Sequence, residues 1–564
     1  MSFKKLISIF ITTLITNIVI AQTVYSQLNP DYNHLIDRNE IKSSQLSNVH
    51  TGFKPYQRVL LTNLIETSQK DSTLTFSSQD QFNQQYILND NWEYAQTEIN
   101  SRKPLFKYFY TKPNASYEFH NHDFIVQVNP VINFQIGKEK DIDGNLYINS
   151  KGVEIRGIIN RKVGFYSFLT DNQINYATYV NTFINQYGAV PGEGFHKVFK
   201  ATARDFITAR GYFTVNATKN IHLQFGHDKN FVGNGFRSLI LSDFSNSYLF
   251  LKVETNIWKL KYTNLFAQMN AMGTSDFVSN TIYPRKYFAL HHLSLNLSKN
   301  FNLGLFESIV FGRSDSTQQG NFDLNYLNPI IFYRWAEQQN GSQDNANIGL
   351  DFKWNFRKHY SLYGQVTIDE FLIHDLLANN GSIRNKQGVQ MGLKIIDIFN
   401  IPTLDAQLET NIVRPYTYAH FNNYSNYSHY GQPLAHPYGA NFKEMIAVLR
   451  YQPINRLQLT GKIIYATMGV DINNTILGDE NYGGNIFKPY TTVSAKHDLN
   501  NYIGQGIATQ LTYVCASASY MLKHNLFIDL EIISRNYTNS LSSTKSVLLN
   551  LGLRLNIHKR VQEF

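Results

Sequence analysis

Short segments in which apolar and polar residues alternate run through most of the chain. In the clearest of them, near the end of the sequence, every second residue is apolar: Val547, Leu549, Leu551, Leu553, Leu555 and Ile557. A period of two predicts a β-strand with one wholly apolar face. Similar segments meet at short polar turns at residues 218–220, 299–300, 357–359 and 523–525, which predicts a series of β-hairpins.

Four further tight turns are predicted near Arg161, Asn256, Asn400 and Asn455. Each stretch between successive turns is long enough for two strands and a polar connection, so the region from 131 to 557 accommodates about eighteen strands. Short turns at one end and long loops at the other are typical of outer-membrane barrels. The same region has no Pro/Ser-rich linker that would divide it into smaller domains.

After residue 22 no run of about eighteen apolar residues occurs, which excludes a helical membrane span in that part of the chain. Two classes of β protein remain: an outer-membrane barrel and a soluble secreted β protein. We predict an all-β fold, a transmembrane antiparallel outer-membrane β-barrel of about 18 strands. It would occupy residues 116–564 and carry long extracellular loops.

The first 115 residues have a different character. Residues 1–21 combine Lys4 and Lys5 with an apolar stretch and small residues before Gln22, which predicts a secretory signal peptide, with a retained membrane anchor as the alternative. Residues 22–115 lack sustained alternation and are rich in Asn, Gln, Ser and Asp. They predict a short irregular periplasmic extension or partial plug with a short helix near 59–65, although disorder is an alternative for residues 23–50.

The amino-acid composition argues against several classes of partner and site. Charged residues make up 16% of the chain and carry a net charge of +9, but Lys and Arg are scattered, so we expect no nucleic-acid partner. The single cysteine, Cys515, excludes an internal disulfide framework. Neither histidine pair, 120 with 122 or 291 with 292, has a nearby third ligand, so we expect no metal and no cofactor.

Glu337 and Asp344 are a conceivable carboxylate pair for glycoside hydrolysis, which requires a defined separation and a raised pKa on one partner. Loop carboxylates paired with Arg334 or Arg237 are the commoner case. We therefore expect no catalytic residues and no enzymatic activity.

Two clusters are candidates for a site. The first is a polar network in the barrel mouth, which combines charges, an amide and glycines after the strand end at Phe225; its members are Asp228, Lys229, Asn230, Arg237, Arg334, Glu337 and Asp344. A structural network and a contact with ligand are both open for it.

The second cluster lies in residues 420–438, a stretch with four tyrosines and three histidines among amides and hydroxyls. Tyrosine offers an apolar face and a polar edge, and sugars need both. The stretch is too polar and turn-rich for a strand, so we predict a surface binding loop rather than an interfacial aromatic girdle. Its candidate ligand-binding residues are Tyr424, Tyr427, Tyr430, His436 and Tyr438.

Residues 225–243 (FGHDKNFVGNGFRSLILSD) and 328–349 (NPIIFYRWAEQQNGSQDNANIG) resemble the Wzi-type capsule-assembly barrels, and the likeness is greatest to the RemB-type gliding-motility proteins of gliding bacteria. Residues 129–137 and 149–170 add to a resemblance that covers roughly residues 115–560. The resemblance implies an outer-membrane barrel that acts as a lectin for surface polysaccharide or, in gliding members, supports adhesion and motility.

We therefore expect a non-enzymatic outer-membrane protein with surface-exposed loops that binds or assembles capsular polysaccharide and supports adhesion or gliding. The expected partners are outer-membrane lipid and lipopolysaccharide, surface polysaccharide, and gliding or adhesion machinery. The alternative is a diffusion porin or solute uptake channel. A porin leaves its lumen filled with water, whereas a lectin-like barrel can be filled by side chains, loops and the N-terminal segment.

Overall fold

A computed structural model describes residues 22–271, 283–312, 321–330, 332–340, 344–471, 480–492 and 498–564. The predicted signal peptide, residues 1–21, lies outside these ranges. Eighteen antiparallel strands form a closed barrel, which confirms the predicted fold. They are β1 (Phe124–Glu139), β2 (Leu146–Ile159), β3 (Val163–Asn175), β4 (Ala203–Asn216), β5 (Ile221–Asp228), β6 (Tyr248–Ile257), β7 (Leu260–Asn270), β8 (Arg285–Asn296), β9 (Phe301–Phe311), β10 (Asn345–Phe356), β11 (Tyr360–Glu370), β12 (Lys386–Ile395), β13 (Leu404–Val413), β14 (Phe442–Ile454), β15 (Leu457–Val470), β16 (Ile507–Lys523), β17 (Leu526–Asn539) and β18 (Ser543–Leu555).

Closure follows from pairing of the last strand with the first, with a register that runs from Leu548 opposite Glu139 to Leu555 opposite Ile132. Seven of the eight predicted tight turns are present, and the eighth, near Asn400, is a longer connection over residues 396–403 that contains a 3₁₀ turn; all eight lie at the same end of the barrel. At one of them Asn160 and Arg161 both have positive φ (50° and 55°), as a tight hairpin turn requires. Longer connections lie mainly at the opposite end, which matches the predicted asymmetry.

The alternation places apolar side chains outside and mostly polar side chains inside. In β18, Leu549 and Leu551 are 52% and 51% exposed on the outer face, whereas Asn550 and Arg554 are buried on the inner face. A closed barrel satisfies every strand's backbone hydrogen bonds within the wall, which is the condition for crossing a membrane with strands. The outer apolar band is therefore the surface that meets lipid.

Six helices accompany the barrel in the described residues. They are α1 (Pro30–Ser43), α2 (Arg58–Lys70), α3 (Ser78–Asp90), α4 (Thr178–Tyr187), α5 (Tyr333–Asn340) and α6 (Ile373–Leu377). Among the described residues none of these helices is long and apolar enough to cross a membrane. The first three form a small cluster around Ile36, Leu61, Ile65 and Ile87.

The outer face of β18 provides a test of the lipid-facing wall. We expect Leu551→Arg to destabilise the folded barrel by about 2–4 kcal/mol, because it places a charge among lipid chains near mid-bilayer. The measurement is the free energy of unfolding in lipid vesicles. Leu541→Arg, at the 76% exposed tip of the hairpin between β17 and β18, is the matched control and should have little effect. Equal stability of the two variants would show that this face does not meet lipid.

Candidate functional site

The N-terminal helices close the short-turn end of the lumen. Arg38 of α1 lies between three carboxylates: its guanidinium is 2.8 Å from Asp80 in α3, 2.5 Å from Asp397 in the turn between β12 and β13, and in contact with Asp405 of β13. Only 4% of the Arg38 side chain is exposed. One buried cation thus joins two helices of the cluster to the barrel wall.

Further ion pairs repeat this arrangement along α1. Lys394 of β12 lies 2.5 Å from Asp37, and Lys353 of β10 contacts Glu40. Burial alone would raise the pKa of the Asp37 carboxyl, but the nearby Lys394 and Lys353 ammonium groups outweigh burial and lower it. The Asp37 carboxyl therefore stays ionised and paired with the wall.

The N-terminal segment is helical rather than irregular. Asn29 caps α1 by accepting from the backbone N–H of Asp31, and Ser77 forms a capping box with Asp80 at the start of α3. The helices lack strong apolar periodicity because much of their surface meets a polar lumen instead of an apolar core. The predicted helix near 59–65 is confirmed within α2.

The loop between β5 and β6 enters the lumen from the opposite end. Leu239, Ile240 and Leu241 are at most 1% exposed, and Phe231–Val232 pairs with Phe53–Lys54 of the N-terminal segment in a two-stranded sheet. At Gly233 φ is +132°, and an added Cβ would lie 2.3 Å from the Gln365 side chain. The loop between β5 and β6 and the N-terminal segment thus enter from opposite ends and meet inside the barrel.

The structure divides the predicted polar network. Asp228, Lys229, Asn230 and Arg237 lie in the lumen, but Arg237 does not pair with Asp228, Glu337 or Asp344. Its guanidinium lies 3.4 Å from Glu444 of β14, and its backbone N–H donates to Glu409 over 3.0 Å.

The other lumen residues of this network also have local partners. Asp228 is 4.0 Å from Arg210, and the Lys229 ammonium donates to the carbonyl oxygens of Gly192 and Asp243. Burial lowers the pKa of Lys229 to about 8. The contacts of this group are largely structural, which is one of the two roles that the sequence left open.

Arg334, Glu337 and Asp344 are not in the barrel mouth, so that part of the prediction is wrong. They belong to the connection between β9 and β10, whose described residues fold over the outer wall of the barrel instead of into its lumen. There Arg334 pairs with Glu337 over 2.7 Å, and Asp344 accepts a hydrogen bond from the Tyr326 hydroxyl over 2.7 Å. Sequence proximity of polar residues could not distinguish the two directions of folding.

The tyrosine-rich loop between β13 and β14 is also mostly inside the barrel. Tyr427 is 1% exposed and its hydroxyl donates to the Ile240 carbonyl oxygen over 2.7 Å, while Tyr430 is 6% exposed. His436 is fully buried 2.7 Å from Glu444, and Tyr438 packs against Phe442. The prediction that these side chains are exposed is wrong, because the loop fills the lumen; a role in ligand binding remains a prediction.

One part of the loop does reach the long-loop rim. Tyr424 is 37% exposed, and the Phe421 ring lies 6.4 Å from the Tyr490 ring of a neighbouring loop. The buried Lys386 ammonium lies 3.8 Å from the centre of the Tyr490 ring and is paired with Glu370 over 3.0 Å, so it supports the ring from within the protein. The rim offers aromatic faces beside amides, which can contact a sugar by stacking and hydrogen bonds. We call Tyr424, Phe421 and Tyr490 the aromatic rim.

Residues 556–564 turn from the end of β18 into the lumen, which sequence reasoning missed. Arg560 pairs with Glu193 over 2.8 Å, and Phe564 packs 4.8 Å from Phe183 and 5.8 Å from Phe244. The only available signal was that the aromatic residue 564 lies off the parity of the apolar face of β18. Beside this tail is a cavity of about 260 Å³ with mixed charges.

A strand-built wall that is apolar outside, with a polar lumen filled from both ends, defines a closed outer-membrane β-barrel. The sequence matches the family described as capsule assembly protein Wzi over residues 114–515, so the chain belongs to the Wzi capsule-assembly family. The outer membrane is therefore its location. No curated protein matches the chain.

Among solved structures, the chain resembles Wzi of Escherichia coli, described as an outer membrane protein involved in group 1 capsule assembly and a carbohydrate-binding β-barrel. The two are 14% identical over 96% of this chain and 100% of that one, with a TM-score of 0.56, which shows a shared fold. OprD of Pseudomonas aeruginosa is 11% identical over 76% of this chain and 94% of its own, with a TM-score of 0.38.

The anchoring of the helices can be tested at Arg38. We expect Arg38→Met to weaken docking of the N-terminal helices by about 3–5 kcal/mol, because it leaves buried carboxylates without their cation. The measurement is the protease sensitivity of α1 in the folded barrel. The control is Lys70→Met, whose ammonium makes an exposed hydrogen bond to Gln96. Unchanged protease sensitivity of α1 in Arg38→Met would contradict the anchoring role.

Acid should loosen the inward-folded loop. Burial lowers the pKa of His420 to about 4 and of His429 to about 3, and it also lowers the pKa of His436 despite the nearby Glu444. The folded loop therefore binds fewer protons than an exposed one, whose histidines titrate near 6.5. Its stability is complete above that pH and falls as the pH drops towards the folded values.

The corresponding measurement is hydrogen exchange of residues 414–441 at pH 7 and pH 5, corrected for intrinsic rates. We expect protection of this loop to fall at the lower pH while β16 and β17 stay protected. Protection that is unchanged or greater at pH 5 would contradict the assignment of neutral, buried histidines.

Proposed function

We propose that this chain is a non-enzymatic outer-membrane protein that binds surface polysaccharide, takes part in its assembly into a capsule, and supports surface adhesion or gliding motility. The supporting relatives are the capsule-assembly family to which the chain belongs and a barrel of the same fold described as carbohydrate-binding. In this proposal residues 22–115 act as a plug and the long loops face the cell surface.

The filled lumen carries the proposal. Three N-terminal helices occupy one end, two long loops occupy the other, and residues 556–564 lie between them. Polar groups of the wall form ion pairs and hydrogen bonds with polar groups of the helices and loops, as the contacts of Arg38 and Arg237 illustrate. A diffusion porin needs water-filled space instead. A polymer would therefore be held at the surface rather than passed through.

The aromatic rim is the best placed surface for that contact. Tyr424 is exposed, and Phe421 of the same loop packs against Tyr490 of a neighbouring loop. Stacking on tyrosine has a low entropic cost, because the ring has only two rotatable side-chain angles. The expected ligand is the cell's own surface polysaccharide, with lipopolysaccharide as a neighbour in the membrane.

A pair of tyrosine variants separates binding from packing. We expect Tyr424→Ala to lose roughly 0.5–1.5 kcal/mol of stacking, which is about two- to tenfold in Kd, with no loss of folded barrel. Binding of the purified cell-surface polysaccharide is the measurement. Tyr427→Ala should instead reduce the yield of folded barrel, because removing a large buried ring costs about 3–5 kcal/mol.

If Tyr424→Ala binds the polysaccharide as tightly as the parent, the aromatic rim is not the binding surface. At the cellular level, deletion of the gene should reduce capsule retention or surface attachment. A defect confined to solute uptake would favour the channel alternative.

A further inference from the structure

The outer wall carries a row of polar residues where apolar ones are expected. Asn264, His291 and Glu307 lie opposite one another on β7, β8 and β9, and their side chains point away from the lumen. In the flanking strands the residues in register with this row are Val253 on β6 and Ile348 on β10. Ile348 is apolar and 47% exposed, so the row lies at the level of the lipid-facing band.

Described residues of the connection between β9 and β10 cover this row. The Glu307 carboxylate accepts hydrogen bonds from the backbone N–H groups of Tyr333 and Arg334, over 2.8 and 2.9 Å, at the start of α5. The Tyr333 ring lies 4.0 Å from the His291 ring. As a result Asn264, His291 and Glu307 are only 2%, 6% and 8% exposed.

The covering segment has a buried side and an exposed side. Tyr326, Tyr333 and Ala336 face the wall and are at most 3% exposed. The exposed side carries large apolar groups: Leu324 is 75% exposed, Leu327 39%, Ile330 86%, Phe332 77% and Trp335 54%. Water is a poor environment for such a concentration of exposed apolar groups on one short segment.

We propose that residues 324–330 and 332–337 form a cover that is inserted into the outer leaflet, where Ile330, Phe332 and Trp335 contact lipid acyl chains. We choose lipid as the partner of this surface because the exposed side of the cover is continuous with the outer wall that already meets lipid. The wall's apolar surface is interrupted at the polar row, and the cover restores it one layer further out. Arg334, whose side chain is 61% exposed, can extend along this layer towards lipid phosphates.

This arrangement differs from an extracellular ligand loop. A loop that binds polymer would present polar edges to water, whereas the exposed side of the cover is mainly aliphatic and aromatic. Trp and other aromatic residues are favoured at the boundary between lipid chains and headgroups. The inference does not depend on the proposed polysaccharide function.

Tryptophan fluorescence tests the inference directly. The chain has four tryptophans, so W92F, W258F and W354F together leave Trp335 as the sole reporter. The protein is reconstituted in phosphatidylcholine vesicles with bromine near the carbonyl end of the acyl chains, or in the unbrominated lipid. We expect bromine to quench most of the Trp335 emission, and aqueous iodide to quench little of it.

Two controls use the same design. A variant with only Trp354, which is 42% exposed on the outer face of β10, should also be quenched by brominated lipid. A variant with only Trp92, which is buried by the N-terminal helices and donates to Gln127, should not be. Quenching of Trp335 by iodide but not by bromine would overturn the proposal. So would emission that changes with the protein-to-lipid ratio, since that would indicate a second copy on this surface.

A spin label gives an independent measurement if the triple variant folds poorly. Phe332→Cys in a Cys515→Ser background carries one nitroxide, since Cys515 is the only native cysteine. We expect collisions with oxygen, which concentrates in lipid, to exceed collisions with an aqueous nickel complex. The reverse order would place the cover in water and contradict the inference.

Discussion

The structure depends on one constraint: a strand that crosses lipid must satisfy its backbone hydrogen bonds with neighbouring strands, so the sheet must close. Closing eighteen strands produces a lumen too wide to be filled by the wall's own side chains. The inward-facing residues are polar, and many of them are charged. Buried charges require partners, and in this barrel some pair within the wall, as Lys261 does with Glu254, while others find their partners outside it.

Those partners explain why the N-terminal segment and the long loops fold inward. Arg38, Lys353 and Lys394 join the wall to α1 through carboxylates, and Arg237 joins the loop between β5 and β6 to Glu444. The same carboxylate accepts from His436 in the loop between β13 and β14. A polar wall and a polar filling thus stabilise each other, which leaves the rim as the surface where we propose that polysaccharide binds.

The sequence predicted the wall well and the filling poorly, for physical reasons. Period-two alternation reports directly which strand face meets lipid, and the short turns report where strands end. Whether a polar loop extends into water or folds into a polar lumen depends on partners far away in the chain. Tyr427, read as exposed, is buried against Ile240, and Glu337, read as part of the mouth, lies on the outer wall. In both cases the local composition suits either environment.

A lumen that is filled from both ends should block ion flow, and single-channel conductance in planar bilayers measures that flow. The chain from residue 22 onward should show little steady conductance, and removal of residues 22–115 should increase it. Large, stable open channels from the intact protein would contradict the filled lumen and favour an uptake channel.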